Sequence, residues 1–253
     1  MGEDPVAPEI AQISTEVKQF ALSQGVELFG VASAACYAER FPYKPDPRKL
    51  VQDARSIIVI GLPFEPATMS TVLRPELARV SGGSSECSDG AGESVFSASA
   101  CARRLFLQEE KLVLYRELDL YGYRIAKFLR RKGWTALHVS PNKKDLHFLR
   151  APFYHMPAVY LAGLGTLGLN CCILTPEFGP RFIVKSVITD CELVPGEPME
   201  EELCINCGLC VKACPSGAID GEGWKNGFAC AAYGCCGTCI AICPVGRVKV
   251  SGV

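Results

Sequence analysis

The chain has 253 residues, of which 49% are hydrophobic and 21% are charged, so it can bury a core and is not disordered as a whole. Its formal net charge of −1 provides no general attraction for nucleic acid, which is therefore not expected as a partner. The first five residues are acidic and contain no apolar signal core, which favours a cytoplasmic location. There are fifteen cysteines, and free thiols together with the oxygen-labile clusters predicted below indicate a reducing cytosol, as in an anaerobe.

The first hundred residues predict one helix, two strands and an irregular segment. Ile13, Val17 and Phe20 recur at helical spacing, and the helix is expected to end before Gly25. Residues 26–32 and 56–62 predict strands, and the second is expected to be central because it is apolar on both faces. Residues 64–103 contain serine- and glycine-rich stretches that predict a flexible insertion or a lid.

The middle of the chain predicts a long amphipathic helix followed by strands. Leu114, Leu118 and Leu129 share one face of this helix, and the basic residues at its end are expected to complement the helix dipole. Residues 134–139, 171–174 and 182–189 predict strands, and residues 158–162 the end of a helix. Residues 156–174 carry no charge, but their glycines and proline argue against a membrane span, so no membrane partner is expected.

A glycine-rich loop covers residues 163–170 and has the G-x-G-x-x-G pattern of dinucleotide-binding proteins. That fingerprint requires a strand before the loop and a helix after it. Here a predicted helix precedes the loop and a predicted strand follows it, so NAD binding is not expected. The three glycines would still let the backbone approach a large, flat ligand.

The strongest functional pattern lies between Leu203 and Pro244. Cys204 opens a C-x2-C-x2-C-x3-C-P run, and Cys236 opens a second ending, C-x2-C-x3-C-P. The full run is typical of two-cluster ferredoxins, in which the fourth cysteine binds the other cluster. Structural zinc sites use two separated cysteine pairs instead, and disulfides require an oxidising compartment.

We therefore predict two [4Fe–4S] clusters with crossed ligand sets. The ligands assigned to cluster 1 are Cys204, Cys207, Cys210 and Cys243. The ligands assigned to cluster 2 are Cys214, Cys230, Cys236 and Cys239, with Cys235 as the alternative to Cys230. The cysteines left without a role are Cys36, Cys87, Cys101, Cys171, Cys172 and Cys191.

Residues 162–170, 174–181 and 187–190, followed by the double cluster motif, resemble in this order the epoxyqueuosine reductase family and the core of corrinoid reductive dehalogenases. The resemblance is close over residues 150–245 and loose before them. It implies an α+β fold, with a nitroreductase-like, cobalamin-binding-type domain over residues 1–198. A ferredoxin-like domain with two [4Fe–4S] clusters would occupy residues 199–253.

The resemblance also implies an activity. Electrons would pass from a low-potential donor of the ferredoxin or flavodoxin type, through the two clusters, to a corrinoid cobalt that reduces a small-molecule substrate. The residues implied to face the cobalamin are Gly163, Gly165, Gly168 and Asn170, and Arg181 would contact a cofactor amide or a substrate anion.

One departure from the family pattern affects the expected substrate. Epoxyqueuosine reductases carry an acidic proton donor at the position of Leu149, so reduction of epoxyqueuosine itself is not expected. Tyr154, His155 and Tyr160 are the remaining candidate catalytic proton donors. The missing acid also favours an alternative, a non-catalytic ferredoxin-like protein that transfers electrons to an acceptor protein or reductively activates a partner enzyme.

Overall fold

The computed structural model describes residues 7–73, 98–140 and 151–246, and the side chains of residues 98–104 are outside this description. Leu149, Cys87 and the side chain of Cys101 therefore lie outside the described residues. The elements, in chain order, are α1 (Pro8–Ser23), β1 (Leu28–Ser33), α2 (Ala34–Arg40), a 3₁₀ turn (Pro47–Lys49), β2 (Ser56–Pro63), α3 (Pro66–Leu73), α4 (Ala98–Arg131), β3 (Ala136–Val139), α5 (His155–Leu161), β4 (Thr166–Leu167), β5 (Ile173–Leu174), β6 (Phe182–Thr189), α6 (Leu209–Lys212), α7 (Gly227–Ala232) and α8 (Thr238–Ala241).

A four-stranded antiparallel sheet with the order β1-β2-β6-β3 forms the centre of the molecule. The two inner strands are rich in β-branched residues and are buried along almost their whole length. Ile58 of β2 lies opposite Val187 of β6, so the two most apolar strands pair with each other. The prediction that residues 56–62 form a central strand is confirmed.

Helices cover both faces of this sheet. Val17 of α1 and Leu118 of α4 belong to the same core cluster as Ile58. Tyr37 of α2 and Ala158 of α5 pack on the opposite face, in the second core cluster. Full burial of each large apolar side chain contributes about 1.5–3 kcal/mol, and the resulting three layers rigidly position α4 and α5 around the site described below.

The predicted flexible segment, residues 64–103, is helical at both ends. Helix α3 lies within it, Met69 and Val72 are buried there, and α4 begins inside the segment at Ala98. Helix α3 packs against α4, which explains why these apolar residues are ordered. The serine- and glycine-rich part that motivated the prediction lies at residues 74–97, outside the described residues.

A charged pair is placed between the sheet and α4. The ammonium group of Lys185, which has no exposed side-chain surface, pairs with the carboxylate of Asp119. Burial lowers the pKa of Lys185, and the bond to Asp119 opposes that change. A Cβ atom on Gly122 would lie 2.8 Å from Cε of Lys185, so a larger residue at this position of α4 would displace the lysine side chain.

None of the described helices combines the length and the apolar character needed to cross a bilayer. The uncharged residues 156–174 form most of α5, the glycine-rich loop and the short hairpin of β4 and β5.

Candidate functional site

The four cysteines predicted to hold cluster 1 surround one small cavity of about 20 Å³. Cys204, Cys207, Cys210 and Cys243 all line it. Burial raises the pKa of the Cys210 thiol, and the neighbouring thiols of Cys243 and Cys204 raise it further. The loop and α6 therefore bring together sulfurs that are 39 residues apart along the chain.

The four thiols share one cavity but do not form the site of a single metal ion in the described residues. Within the described residues, no three His, Cys, Asp or Glu side chains are close enough to hold one metal ion. A zinc ion would bring its four ligand atoms within about 2.3 Å of itself, whereas a cubane of iron and sulfide holds its thiolates farther apart. The assignment of individual ligands stays a prediction.

Arg181 holds the end of the cluster motif. Its guanidinium donates hydrogen bonds to the carbonyl oxygens of Cys243 at 2.8 Å, Val245 at 2.5 Å and Ile240 at 3.3 Å. Burial raises the pKa of Cys243, and the charge of Arg181 acts in the opposite direction. These contacts give Arg181 a structural role, and its predicted contact with a cofactor amide or substrate anion stays a prediction.

The glycines of the loop are required by the chain itself. A Cβ atom would lie 2.1 Å from the Glu197 carbonyl oxygen at Gly163, which has a φ of +69°, and 2.0 Å from the Leu174 carbonyl oxygen at Gly165. Gly168 is less crowded, since a Cβ atom there would lie 3.0 Å from the side chains of Asn170 and Leu174. Close backbone packing, and not only a flat ligand, explains this pattern.

Asn170, at the end of the loop, links it to the cluster motif. Its side-chain carbonyl accepts the N–H of Cys172 at 3.1 Å, and its amide donates to the carbonyl of Cys239 at 3.5 Å. Asn170 and Gly168 line the cluster 1 cavity. The predicted contact of the loop with a corrin stays a prediction, since the wider cavity is formed by other residues.

That wider cavity encloses about 470 Å³ and opens to solvent on one side. Phe153, Tyr154 and Met156 contribute one wall, at the beginning of α5. Cys230 and Cys239 contribute the wall formed by the cluster motif. We call it the reductive cavity, and its volume lies in the range of about 300–1,000 Å³ that is typical of small-molecule sites.

Of the cysteines predicted to bind cluster 2, only Cys230, its alternative Cys235, and Cys239 are among the described residues that line this cavity. Burial raises the pKa of Cys239 to about 12, with Cys172 as the next cause. The thiols of Cys230 and Cys235, the two alternatives for one ligand position, are hydrogen bonded to each other. The geometry thus leaves the choice between them open.

Cys214 and Cys236, also assigned to cluster 2, are not among the described residues of the cavity wall. The sulfur of Cys214 accepts the N–H of Ala218 at 3.3 Å, and that of Cys236 lies 3.3 Å from the hydroxyl of Thr238. The ligand set of cluster 2 stays a prediction.

Two cavity residues, Cys171 and Cys172, were left without a role by the sequence analysis. Cys171 has a φ of +56°, and its thiol donates to the carbonyl of Gly223 at 3.1 Å. Burial raises the pKa of Cys172, while the charges of Lys225 and Lys111 oppose the rise. Adjacent cysteines have no metal-ligand spacing, and only their position directly after the glycine loop could have indicated this location.

The three candidate proton donors are in different environments. His155 lines the cavity, but its Nδ1 lies 2.9 Å from the hydroxyl of Ser186, and the ring also bonds to the backbone of Ser140. Burial, followed by the charge of Lys185, lowers the pKa of His155 to about 4, so the imidazole is neutral near pH 7. These contacts hold the ring in place, and a catalytic role for His155 stays a prediction.

Tyr154 also lines the reductive cavity. Its backbone carbonyl accepts the hydroxyl of Tyr37 at 2.9 Å, and the ammonium of Lys44 lies 4.3 Å from the centre of its ring. Tyr160 is not among the described residues of the cavity wall and packs beneath the guanidinium of Arg40, at 5.6 Å. The structure thus brings Tyr154 and His155, but not Tyr160, to the cavity.

Comparison with protein families supports the iron–sulfur prediction. Two models described as "4Fe-4S binding domain" match residues 198–220 and residues 236–246. These ranges contain seven of the eight predicted ligands, all except Cys230, and the predicted use of [4Fe–4S] clusters is confirmed at this level.

Sequence relatives support the predicted resemblance. The chain is 36% identical over 111 residues to a tetrachloroethene reductive dehalogenase of Desulfitobacterium hafniense. This match covers 43% of this chain and 18% of the relative. The chain is also 40% identical over 72 residues to an epoxyqueuosine reductase of Listeria monocytogenes, and that match covers 28% of this chain and 19% of the relative. The matches thus span less than a fifth of the length of either relative.

The fold resemblance extends over nearly the whole chain. A reductive dehalogenase structure, described as suggesting a mechanism for B12-dependent dehalogenation, superposes with a TM-score of 0.65 at 19% identity. The alignment covers 98% of this chain and 34% of that protein. The predicted fold is confirmed: an α+β domain like the cobalamin-binding domain of these reductases, followed by a ferredoxin-like region.

Proposed function

We propose that this protein is an iron–sulfur, cobalamin-dependent reductase that delivers low-potential electrons through two [4Fe–4S] clusters to a small-molecule substrate in the reductive cavity. The observation that carries the proposal is that the cluster motif forms a wall of this cavity, through Cys230 and Cys239. Electrons leaving a cluster held there would have little protein to cross. Epoxyqueuosine itself is not proposed as the substrate, because Leu149 replaces the acidic donor.

The positions of the two cysteine groups favour one direction of electron flow. Cys207 of the cluster 1 group is exposed, and neighbouring Ile205 has 67% of its surface exposed. Cys235, the alternative ligand of cluster 2, is also exposed, but it lines the reductive cavity. A donor of the ferredoxin or flavodoxin type is therefore proposed to dock at the surface of Cys207 and to reduce cluster 1 first. The short helices α6 and α8, which pack against each other, connect that group to the cavity wall.

The lining of the reductive cavity suits a corrinoid in position and chemistry. Phe153, Tyr154, Met156 and Phe182 offer an apolar and aromatic surface beside the cysteines. A complete cobalamin is larger than a drug-sized ligand, so it would extend through the open side of the cavity. When bound, cobalamin would supply the cobalt centre at which the substrate is reduced.

The chain would contribute binding, exclusion of water and a proton. Tyr154 is the proposed proton donor because it lines the cavity and its backbone is fixed by Tyr37. The structural contacts of His155 make it a positioning residue for the first turn of α5. Aromatic walls on one side and cysteines on the other keep the cavity largely apolar.

Corrinoid binding is the test. Cobalamin would be added to anoxically reconstituted protein, and the absorbance of the corrin would be followed before and after reduction. We expect saturable binding and loss of the oxidised corrin spectrum when the clusters are reduced. Absence of any corrinoid binding would overturn the cobalamin-dependent function.

The alternative is a non-catalytic electron-transfer or activator protein for a partner enzyme. The small enclosed volume, about 470 Å³, is the observation that favours it, since it is below the size of a complete cobalamin. This alternative predicts reducible clusters, no corrinoid binding and reduction of an acceptor protein. Turnover of a small molecule by the isolated protein would exclude it.

A further inference from the structure

The described lining of the reductive cavity carries positive charge without a balancing carboxylate. Two lysines, Lys111 and Lys225, line it, and its described lining residues include no carboxylate. Neither ammonium group lies within ion-pair distance of a carboxylate in the described parts of the chain. Lysines placed at a partly apolar cavity without a counter-charge favour the binding of an anion.

The two lysines come from different parts of the chain, and both influence the same cavity residue, Cys172. Lys111 lies on α4, one turn before Tyr115, and Lys225 precedes α7. Burial raises the pKa of the Cys172 thiol, which lines the same cavity, and the charges of both lysines act to lower it. A ligand in this cavity would therefore meet positive charge as well as aromatic side chains.

The two lysines differ in what else they face. Lys225 is surrounded by sulfur, because the thiols of Cys172, Cys239 and Cys230 all influence it. An anionic cluster held by Cys230 and Cys239 would offset its charge. Of these three thiols, Lys111 on α4 influences that of Cys172. No carboxylate of the described residues pairs with Lys111, so its charge is left for a ligand.

We propose that Lys111 anchors an anionic group of the ligand in the reductive cavity, and that this ligand is an anion with an apolar body. The inference rests on the proposed function, because it identifies the ligand class of the same cavity. The anion has two possible sources: a carboxylate on the substrate, or the phosphodiester in the nucleotide tail of cobalamin. An ammonium group binds either one as a point charge.

Binding measurements on the reconstituted holoprotein test this without turnover. One arm compares small aryl carboxylates with their carboxamides, and the other compares cobalamin with cobinamide, which lacks the nucleotide tail. Each arm uses the wild type, K111M and K127M. Lys127 lies on the exposed side of the same helix, so K127M removes an equal charge outside the cavity.

We expect the wild type and K127M to bind the anionic member of one pair about tenfold more tightly than its partner, and K111M to lose that preference. A preference in the first arm identifies the substrate as the source, and a preference in the second identifies the cofactor. No preference in either arm, or an unchanged preference in K111M, would overturn the proposal. Failure of the proposed function would appear instead as no corrinoid binding by the wild type, and the carboxylate arm would then still test Lys111.

Discussion

Arg181 shows how one side chain can decide whether a cluster site keeps its shape. Its guanidinium bonds to three carbonyls of the segment that carries Cys243. Hydrogen bonds from a charged group contribute about 1.5–3 kcal/mol each when the partner would otherwise remain unsatisfied. The end of the cluster motif thus depends on a residue of the preceding domain.

We expect R181M to lower the free energy of unfolding by about 2–4 kcal/mol and to retain only about four of eight irons after reconstitution. Iron analysis and chemical denaturation would measure both effects. R116M is the matched control, because Arg116 is exposed on α4. Full iron retention in R181M would contradict the role assigned to this residue.

His155 predicts a dependence of stability on pH. Its folded pKa of about 4 lies below the ordinary value of 6.5, so between these values the unfolded chain binds a proton that the folded protein does not. Stability is therefore complete above pH 6.5 and falls as the pH drops toward 4, by about 2–3 kcal/mol from this residue alone.

The test compares urea denaturation of the wild type and H155Q at pH 7 and pH 4.5. H155Q retains hydrogen-bonding groups but cannot titrate, so it is expected to lose less stability on acidification than the wild type. Equal losses in the two proteins would show that His155 is not held in the neutral form.

Residue roles were predictable from the sequence when they depended on local spacing. Cys204, Cys207 and Cys210 identify an iron–sulfur run because three neighbouring thiols must point to one cluster. The contacts of Arg181 with a segment about sixty residues away, and the placement of Cys172 at the cavity, depend on tertiary packing. No local pattern records such contacts.

Among the elements, the glycine-rich loop is the one for which the sequence and the structure give the most different explanations. The sequence pattern indicated approach to a ligand, whereas the glycines permit contact with the backbone at Glu197 and Leu174. Both readings predict glycine at these positions, so the sequence could not separate them.

Replacement of Gly165 by alanine tests this packing. Because the new Cβ would lie 2.0 Å from the carbonyl oxygen of Leu174, we expect G165A to be destabilised by about 1–3 kcal/mol even without any ligand. G227A serves as the control, since no atom lies within 4 Å of a Cβ there and alanine suits the helix. A G165A protein as stable as the wild type would contradict the role of Gly165 in backbone packing and favour ligand binding as the reason for this glycine.

Strand β2 was predictable because it is buried on both faces and carries a continuous apolar run, whereas the apolar residues of β6 flank the buried Lys185 and Ser186. The segment 64–103 was less predictable because its composition was averaged over forty residues. Its first part forms α3, which buries Met69 and Val72 in the core.

At the scale of the whole molecule, the two ends of the cluster motif must converge on one site. The cavity formed by Cys204, Cys207, Cys210 and Cys243 requires the chain to return after more than thirty residues. We expect C243S to lose cluster 1 and to retain about four irons, whereas C36S, remote from both cavities, retains about eight. Iron analysis with electron paramagnetic resonance spectroscopy measures this, and a C243S protein with a full complement of iron would contradict the predicted crossover.

The central claim is that this chain carries two four-iron clusters, one at the surface and one against the reductive cavity. Its most direct test is the amount of iron and acid-labile sulfide per chain after anoxic reconstitution of the wild type. The account predicts about eight of each. A reproducible value of about four, with a single cluster signal, would contradict it.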